Sequence, residues 1–272
     1  MSAFEIREYK IFDVPAMRRL WHETFHDPEE LTEIFYLMLP DMGSAVVAVK
    51  DKKVIGMANV INGMELIDSG KEGPICGYIY AVAVATEHRG QGIGRALCIE
   101  AEKLAKKRES SIVCTLPSEA SLYNYYKDVL GFEAVLYRKA YETKCEALEL
   151  CMELSSTEYM MWRENMLRGK LHLHPSNPTL EWEKQFCKVF DGGLFACASG
   201  ICAAYRDGET CVIKELVTAF PGEEERIAAS VGAQLGCEKT VYYLPSGKDG
   251  LPYLAALPES IPSGTIWNFT FD

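Results

Sequence analysis

At 272 residues the chain is long enough for one large domain or two of ordinary size, and its 48% hydrophobic and 25% charged residues suit a packed core rather than disorder. The formal net charge of −11 argues against nucleic acid as the main partner. No apolar run approaches the ~18–20 residues of a membrane helix, and the start lacks the basic-then-apolar pattern of a secretory leader, so a soluble, cytoplasmic chain is expected.

In chain order, Phe4 to Lys10 alternates apolar and polar residues as an edge strand does. Asp13 stands at an N-cap position and Pro15 in the first turn of a helix predicted to reach about Phe25. Asp27, Pro28 and Glu30 open a second helix to about Leu39. Ser44–Lys50 and Lys53–Ile61 are predicted strands joined by a tight turn at Asp51-Lys52. A loop from Asp68 to Pro74 leads into an apolar strand from Ile75 to Ala85. Gly90, Gly92 and Gly94 follow at alternate positions. From Ile93, apolar residues at 93, 96, 97, 101, 104 and 105 keep helical spacing up to Lys106, Lys107 and Arg108. Ser111–Leu116 is a predicted strand. Ser118 or Ser121 caps a helix to about Leu130, Gly131 ends it, and Phe132 begins a further strand.

The segment from Tyr78 to Arg108 therefore reads strand, glycine loop, helix. The first turn of a helix has amides with no internal partner, and its aligned peptides place about half a positive charge there. Glycines let a ligand approach that backbone closely. The combination is an anion site suited to a phosphate or diphosphate, with Arg89 and Arg95 placed to add charge-assisted bonds. The dinucleotide fingerprint G-x-G-x-x-G fails, because Arg95 or Leu97 stands where its third glycine belongs. The nucleotide-triphosphate loop fails because Arg95 and Ala96 follow Gly94.

What remains is R-x-x-G-x-G, at Arg89, Gly92 and Gly94. The string V-A-V-A-T-E-H-R-G-Q-G-I-G-R-A-L resembles the acetyl-CoA loop of the GNAT (GCN5-related) N-acetyltransferases. The resemblance covers about residues 4–142 and is strongest from 78 to 132. It implies that Val82, Ala83 and Val84 pair with the pantetheine arm and that Arg89, Gly90, Gln91, Gly92, Ile93, Gly94 and Arg95 hold the diphosphate. It also implies that a tyrosine in S-L-Y-N-Y-Y-K-D-V-L-G-F protonates the leaving thiolate. Tyr126 is the first choice. The family places this tyrosine four residues before the Gly; here the gap is five, which keeps Tyr125 and Tyr123 as alternatives. The family's cofactor-touching Asn is replaced by Ser118 or Glu119, with Asn124 as a substitute. Many relatives carry a carboxylate base on the fourth strand, whereas C-G-Y-I-Y-A-V has none; Glu23, His22 and His26 are the candidates elsewhere.

Residues 144–272 lack R-x-x-G-x-G yet repeat the element order. Ala147–Leu154 is a predicted strand, and Ser156 caps a helix with Glu158 in its first turn. Leu180–Phe190 is helical. Three antiparallel strands follow, with turns at Ser199-Gly200 and Asp207-Gly208, then a helix from Glu223 to Leu235. Strands at Thr240–Leu244 and Thr265–Phe271 close the chain. T-A-F-P-G-E-E-E-R stands at the equivalent of the glycine loop, where three glutamates repel a diphosphate. His172 and His174, in L-H-L-H-P, share a strand face without further ligands nearby, which reads as a solvated loop and no metal site. The ten cysteines show no C-x-x-C spacing and read as buried thiols in a reducing compartment.

The expectation is an α/β protein of two GNAT-like domains in tandem, each a mixed, mostly antiparallel sheet flanked by helices. Residues 1–143 form the catalytic domain with the acetyl-CoA site, and 144–272 a degenerate copy. The expected activity is acetyl-CoA-dependent N-acetyl transfer to a primary amine of a small molecule or peptide, with a cationic amine as the candidate acceptor, in a monomer or homodimer. The rival readings are a non-catalytic acyl-CoA-binding regulator and a transferase of another acyl group.

Overall fold

The computed structural model describes residues 4–262 and 264–267. The chain begins with β1 (Glu5–Glu8), α1 (Val14–Phe25), α2 (Glu29–Met42), β2 (Gly43–Lys50), β3 (Lys53–Ile67), β4 (Ile75–Val84), α3 (Ile93–Lys107), β5 (Ile112–Thr115) and α4 (Ala120–Leu130). It continues through β6 (Glu133–Lys144), β7 (Met152–Glu153), α5 (Ser156–Leu167), β8 (His172–Pro175) and α6 (Asn177–Val189). The last elements are β9 (Gly193–Cys197), β10 (Gly200–Asp207), β11 (Thr210–Thr218), α7 (Glu224–Gln234), β12 (Lys239–Ser246) and β13 (Leu251–Ala256). Two compact units result, and they interleave along the sequence rather than meeting at residue 143. The first takes its described residues from 1–65, 74–135 and 253–262, the second from 66–73, 136–252 and 263–272.

The first unit is a sheet in the order β1-β2-β3-β4-β5-β13. Neighbours are antiparallel except β4 and β5, which run parallel. The β2–β3 hairpin turns on Asp51 and Lys52, both left-handed (φ 49° and 63°), as a two-residue turn between right-twisted strands requires. Side chains alternate across the sheet. Ala58, Val60 and Ile79 pack beneath α3 and α4 with Leu97, Cys98, Ala101 and Tyr126. Tyr80 points the other way, to the α1–α2 face, where Trp21 meets Phe35 and Tyr80 at ring-centroid distances of 4.9 and 5.2 Å. A β-carbon on Gly56 would lie 2.9 Å from Leu97 Cδ1 and 3.1 Å from the Ala83 carbonyl, so this glycine lets α3 sit directly on the sheet.

The second unit repeats the pattern in the order β7-β9-β10-β11-β12-β6, parallel only between β11 and β12. The helices α5 and α6 stand between β7 and β9, as α1 and α2 stand between β1 and β2. Likewise α7 links the parallel pair, as α3 does in the first unit. The final strand of the first sheet, β13, comes from outside that unit's main run, whereas residues 137–144 of β6 open the main run of the second unit. Local patterning marks a strand from Phe132 but says nothing about which sheet it joins, and it gives no sign of β13.

Several local expectations are corrected. Asp13 holds the N-cap position of α1, but its carboxylate accepts from Arg7 (2.6 Å) and from the Lys10 amide (2.7 Å) instead of the helix. Neither Ser118 nor Ser121 caps α4; Glu119 is the N-cap residue and no side chain bonds the first turn. Ser155, not Ser156, caps α5 in a reciprocal capping box with Glu158. The strand expected over Ala147–Leu154 shrinks to Met152–Glu153. Of the strand expected from Thr265 to Phe271, Ile266 bridges His172, and residues 268–271 lie outside the described residues.

The histidine segment is β8, not a solvated loop. His172 is buried, and its Nε2 lies 3.0 Å from Glu164 Oε2, while His174 Nδ1 lies 3.0 Å from Glu164 Oε1. Beside it, the buried Glu215 carboxylate accepts from the Arg163 Nε and the Tyr159 hydroxyl, each at 3.0 Å. Sequence spacing missed both clusters because the acids come from other elements. Among the described residues, no helix is long and apolar enough to cross a membrane.

Candidate active site

The glycine loop opens where two strands part. Parallel pairing of β4 with β5 covers only Cys76 to Tyr78 against Ile112 to Cys114. β4 runs on to Val84, whereas β5 stops at Thr115, whose hydroxyl donates to the Ile79 carbonyl at 2.9 Å. On its other side β4 stays paired with β3, but Asn59 faces Tyr80 and Met57 faces Ala83. Ala58 therefore opposes both Ala81 and Val82, and Ala81 takes a left-handed conformation (φ 49°). This is a β-bulge, which bends and twists a strand. Val82, Ala83 and Val84 thus follow a bend, on an edge with no strand partner on the β5 side among the described residues. Unpaired main-chain N–H and C=O groups on such an edge can be satisfied by an extended, amide-bearing ligand.

From Val84 the chain makes a single 3-10 turn at Thr86–His88, and the Arg89 Nε donates back to the Val84 carbonyl at 3.0 Å. Gly90 and Gly92 both adopt left-handed φ, 73° and 78°, and a β-carbon at either would meet open space. Glycine is needed here for conformation and leaves the approach to the backbone clear. The first bond of α3 runs from the Ala96 amide to the Gly92 carbonyl at 3.1 Å. The amides of Gly92, Ile93, Gly94 and Arg95 precede it, and no side chain among the described residues caps them. The Arg95 guanidinium donates to the Asp128 carbonyl in the last turn of α4 (3.3 Å), so it ties the two helices together. Gln91 is exposed, with its amide 3.5 Å from the Glu87 carbonyl.

The three tyrosines take different places. Tyr126 is 7% exposed and packs in the core under α3, facing Thr115 at the point where β4 and β5 separate. Burial, with the Cys98 sulfur adding to it, pushes the phenol pKa up against an opposing pull from Thr115. Tyr125 packs edge-on against Tyr126 at 5.4 Å and hydrogen-bonds the Cys98 thiol. Its hydroxyl lies 3.0 Å from where a Gly94 β-carbon would stand, so it reaches the first turn of α3. Burial raises its pKa too, and lifts Cys98 to about 11. Tyr123 packs against the same core, half-buried.

The extra residue before Gly131 is absorbed in the helix end. The Gly131 amide bonds both Lys127 and Tyr126 carbonyls, and the Phe132 amide bonds Tyr126, six residues back, at 3.3 Å. The last turn of α4 is therefore wide by one residue, and the widening falls after Tyr126. Thr115, Cys98 and the Ala81 bulge escaped the sequence reading; no local signal marks them.

Elsewhere, His22 and Glu23 are exposed on α1 and His26 forms its left-handed C-cap. Asn124 is exposed on α4. In the second unit, acids stand at the start of α7, which no side chain among the described residues caps. Glu224 accepts from the Gly222 amide at 2.8 Å and from Thr218 at 3.2 Å, and Glu223 accepts from Ser199 at 3.2 Å.

Residues 13–132 match the sequence profile described as the Acetyltransferase (GNAT) family. This stretch of the first unit carries a GNAT-type acetyltransferase domain. As a whole the chain has the fold of two GNAT-like domains. Solved structures with the same fold include a conserved protein of Enterococcus faecalis V583, at 15% identity over 94% of this chain and 72% of that one, with a TM-score of 0.70. A GCN5-related N-acetyltransferase from Kribbella flavida aligns at 13% identity over 93% and 70% of the two chains, TM-score 0.67. One from Anabaena variabilis aligns at 12% over 93% and 72%, TM-score 0.65. No curated protein sequence matches the chain. At these identities the GNAT likeness concerns the fold, and the chemistry rests on the loop, strand edge and tyrosines above.

Proposed function

We propose that the first unit binds acetyl-CoA and transfers its acetyl group to a primary amine of a small molecule or peptide, by direct attack while both substrates are bound. One observation carries the reading: the uncapped first turn of α3, entered through two left-handed glycines, opens beside a strand edge that β5 has left. Gly90, Gln91, Gly92, Ile93, Gly94 and Arg95 offer main-chain amides and the helix dipole to a diphosphate. Arg89 braces the loop through Val84. The free edge at Val82, Ala83 and Val84 offers partners to the amides of a pantetheine arm.

The thioester supplies the activated acyl group; the protein's residues bind, orient and move protons. An alkylammonium has a pKa near ~10.4, so about one molecule in a few thousand is neutral at pH 7. β4 carries no carboxylate, which leaves removal of that proton to a group off the strand or to solvent. As the new C–N bond forms and the C–S bond breaks, the departing sulfur needs a proton. Tyr126 is assigned this role, because burial keeps its phenol protonated and it faces Thr115 at the strand gap. Tyr125, over Gly94, is the second candidate and Tyr123 the third. The second unit is assigned as the copy without a cofactor site, since Glu223, Glu224 and Glu225 at the start of α7 repel a diphosphate.

The test pairs calorimetry of CoA binding with thiol release and product mass over a panel of primary amines. CoA uptake and acetylation of at least one amine are expected. Uptake without turnover of any amine would favour a regulatory acyl-CoA-binding protein, and no uptake would remove the proposal. Greater thermal stabilisation by another acyl-CoA would change the donor.

A further inference from the structure

Two cysteines of the second unit, outside the site above, face each other across the edge of its sheet. β7 and β9 pair antiparallel, Met152 opposite Ala196 and Glu153 opposite Phe195. One step further along each strand sets Cys151 against Cys197, and their sulfurs lie 2.7 Å apart. Directly opposed antiparallel residues hold their Cβ atoms ~4.5–5.5 Å apart, close to the ~3.5–4.5 Å of a disulfide. Both side chains are nearly buried, 5% and 7% exposed. Yet β7 is two residues long and ends the strand order of this sheet, so a small fraying of the edge admits a reagent. We propose that Cys151 and Cys197 form a redox-active dithiol, which a hydroperoxide converts to an intramolecular disulfide.

The two thiols are not equivalent. The hydrogen bond from Cys197 favours a thiolate on Cys151 and lowers its pKa, against burial and the nearby Glu149 carboxylate. The same contact, with burial, raises Cys197. Cys151 adjoins the two-residue edge strand β7, so fraying exposes it first and makes it the nucleophile, while Cys197 on β9 is the resolving thiol. The Cys151 sulfur attacks a peroxide oxygen, the O–O bond breaks, and water or an alcohol leaves, with Cys151 now a sulfenic acid. The Cys197 sulfur then attacks the Cys151 sulfur, the S–O bond breaks, water leaves, and the S–S bond forms. Two thiols are oxidised and one peroxide is reduced. By contrast, burial raises the pKa of Cys76, Cys98, Cys114, Cys187, Cys202, Cys211 and Cys237, and Cys145 sits against Thr240 at 3.3 Å.

The reduced full chain is treated with hydrogen peroxide, alkylated, and mapped by mass spectrometry without reduction. The expected product is a Cys151–Cys197 cross-linked peptide, lighter by two hydrogens, which dithiothreitol reverses. Cys197→Ser should leave Cys151 as a sulfenic acid captured by dimedone, and Cys151→Ser should leave Cys197 unmodified at the same dose. The wild-type map decides regardless of how the variants fold. Cross-links to other cysteines, or complete alkylation of both thiols after peroxide, would overturn the proposal. Dimedone capture on Cys197 in Cys151→Ser would overturn the assignment of the nucleophile.

Discussion

Gly92→Ala separates the cost of backbone strain from the cost of a blocked anion site. Gly92 sits at φ 78° with open space where a β-carbon would go. Alanine therefore meets no clash and loses only the left-handed preference, ~1–2 kcal/mol. That lowers Tm by about 2–8 °C per kcal/mol, which a folded domain survives. On the proposed function, the new methyl stands in the path of the diphosphate. Each hydrogen bond to a charged group contributes ~1.5–3 kcal/mol. Losing one or more raises the Kd for CoA by at least about tenfold. Gly236→Ala is the matched control: φ is 70°, a β-carbon again meets open space, and the residue follows α7. Calorimetric titration with CoA, beside thermal melts of both variants, makes the comparison. If both lose similar Tm and Gly92→Ala binds CoA as the wild type does, the loop is not the diphosphate site.

Tyr126→Phe should lower kcat by ~100-fold or more with little change in KM for acetyl-CoA, while Tyr125→Phe has the smaller effect; the opposite ranking in steady-state assays would transfer the acid role to Tyr125. Gly56→Ala forces a β-carbon to 2.9 Å from Leu97 Cδ1 and should cost ~1–3 kcal/mol in urea unfolding; an unchanged midpoint would show that α3 shifts freely. Glu215→Ala leaves the buried Arg163 guanidinium with Glu164 alone as its acidic partner among the described residues and should destabilise by ~1–3 kcal/mol; a near-wild-type melt would contradict that pairing. Glu164 is pushed up by burial, but hydrogen bonds from His172 and His174 win and hold it well below the usual carboxylate range. Its folded pKa is thus lower than the unfolded ~4.3, so its stabilisation is full above that pH and is lost as pH falls towards the folded value. Wild type should therefore lose stability between about pH 5 and 3 that Glu164→Gln never had, and parallel pH–stability curves would refute the assignment.

Within the fold, the elements with strong local codes were legible. The spacing of apolar residues from Ile93 to Ala105 matches α3, and Gly131 ends α4 with φ 73°. Elements defined by distant partners were not. Asp13 reads as a cap until Arg7 is seen beside it, and His172 reads as solvated until Glu164 is brought to it from α5.

The glycine loop proposed to hold the diphosphate was legible in the sequence alone, because its parts are contiguous: glycines and the helix they lead into lie within a few residues of one another. The tertiary structure decided the rest. The parting of β4 from β5, the bulge at Ala81 and the return of β13 to the first sheet depend on hydrogen bonds between residues far apart in the chain. So does the separation of Tyr126 from Tyr125: one helix presents both, and only the packing of α4 against Thr115 and Gly94 sends one hydroxyl to the strand gap and the other to the helix end.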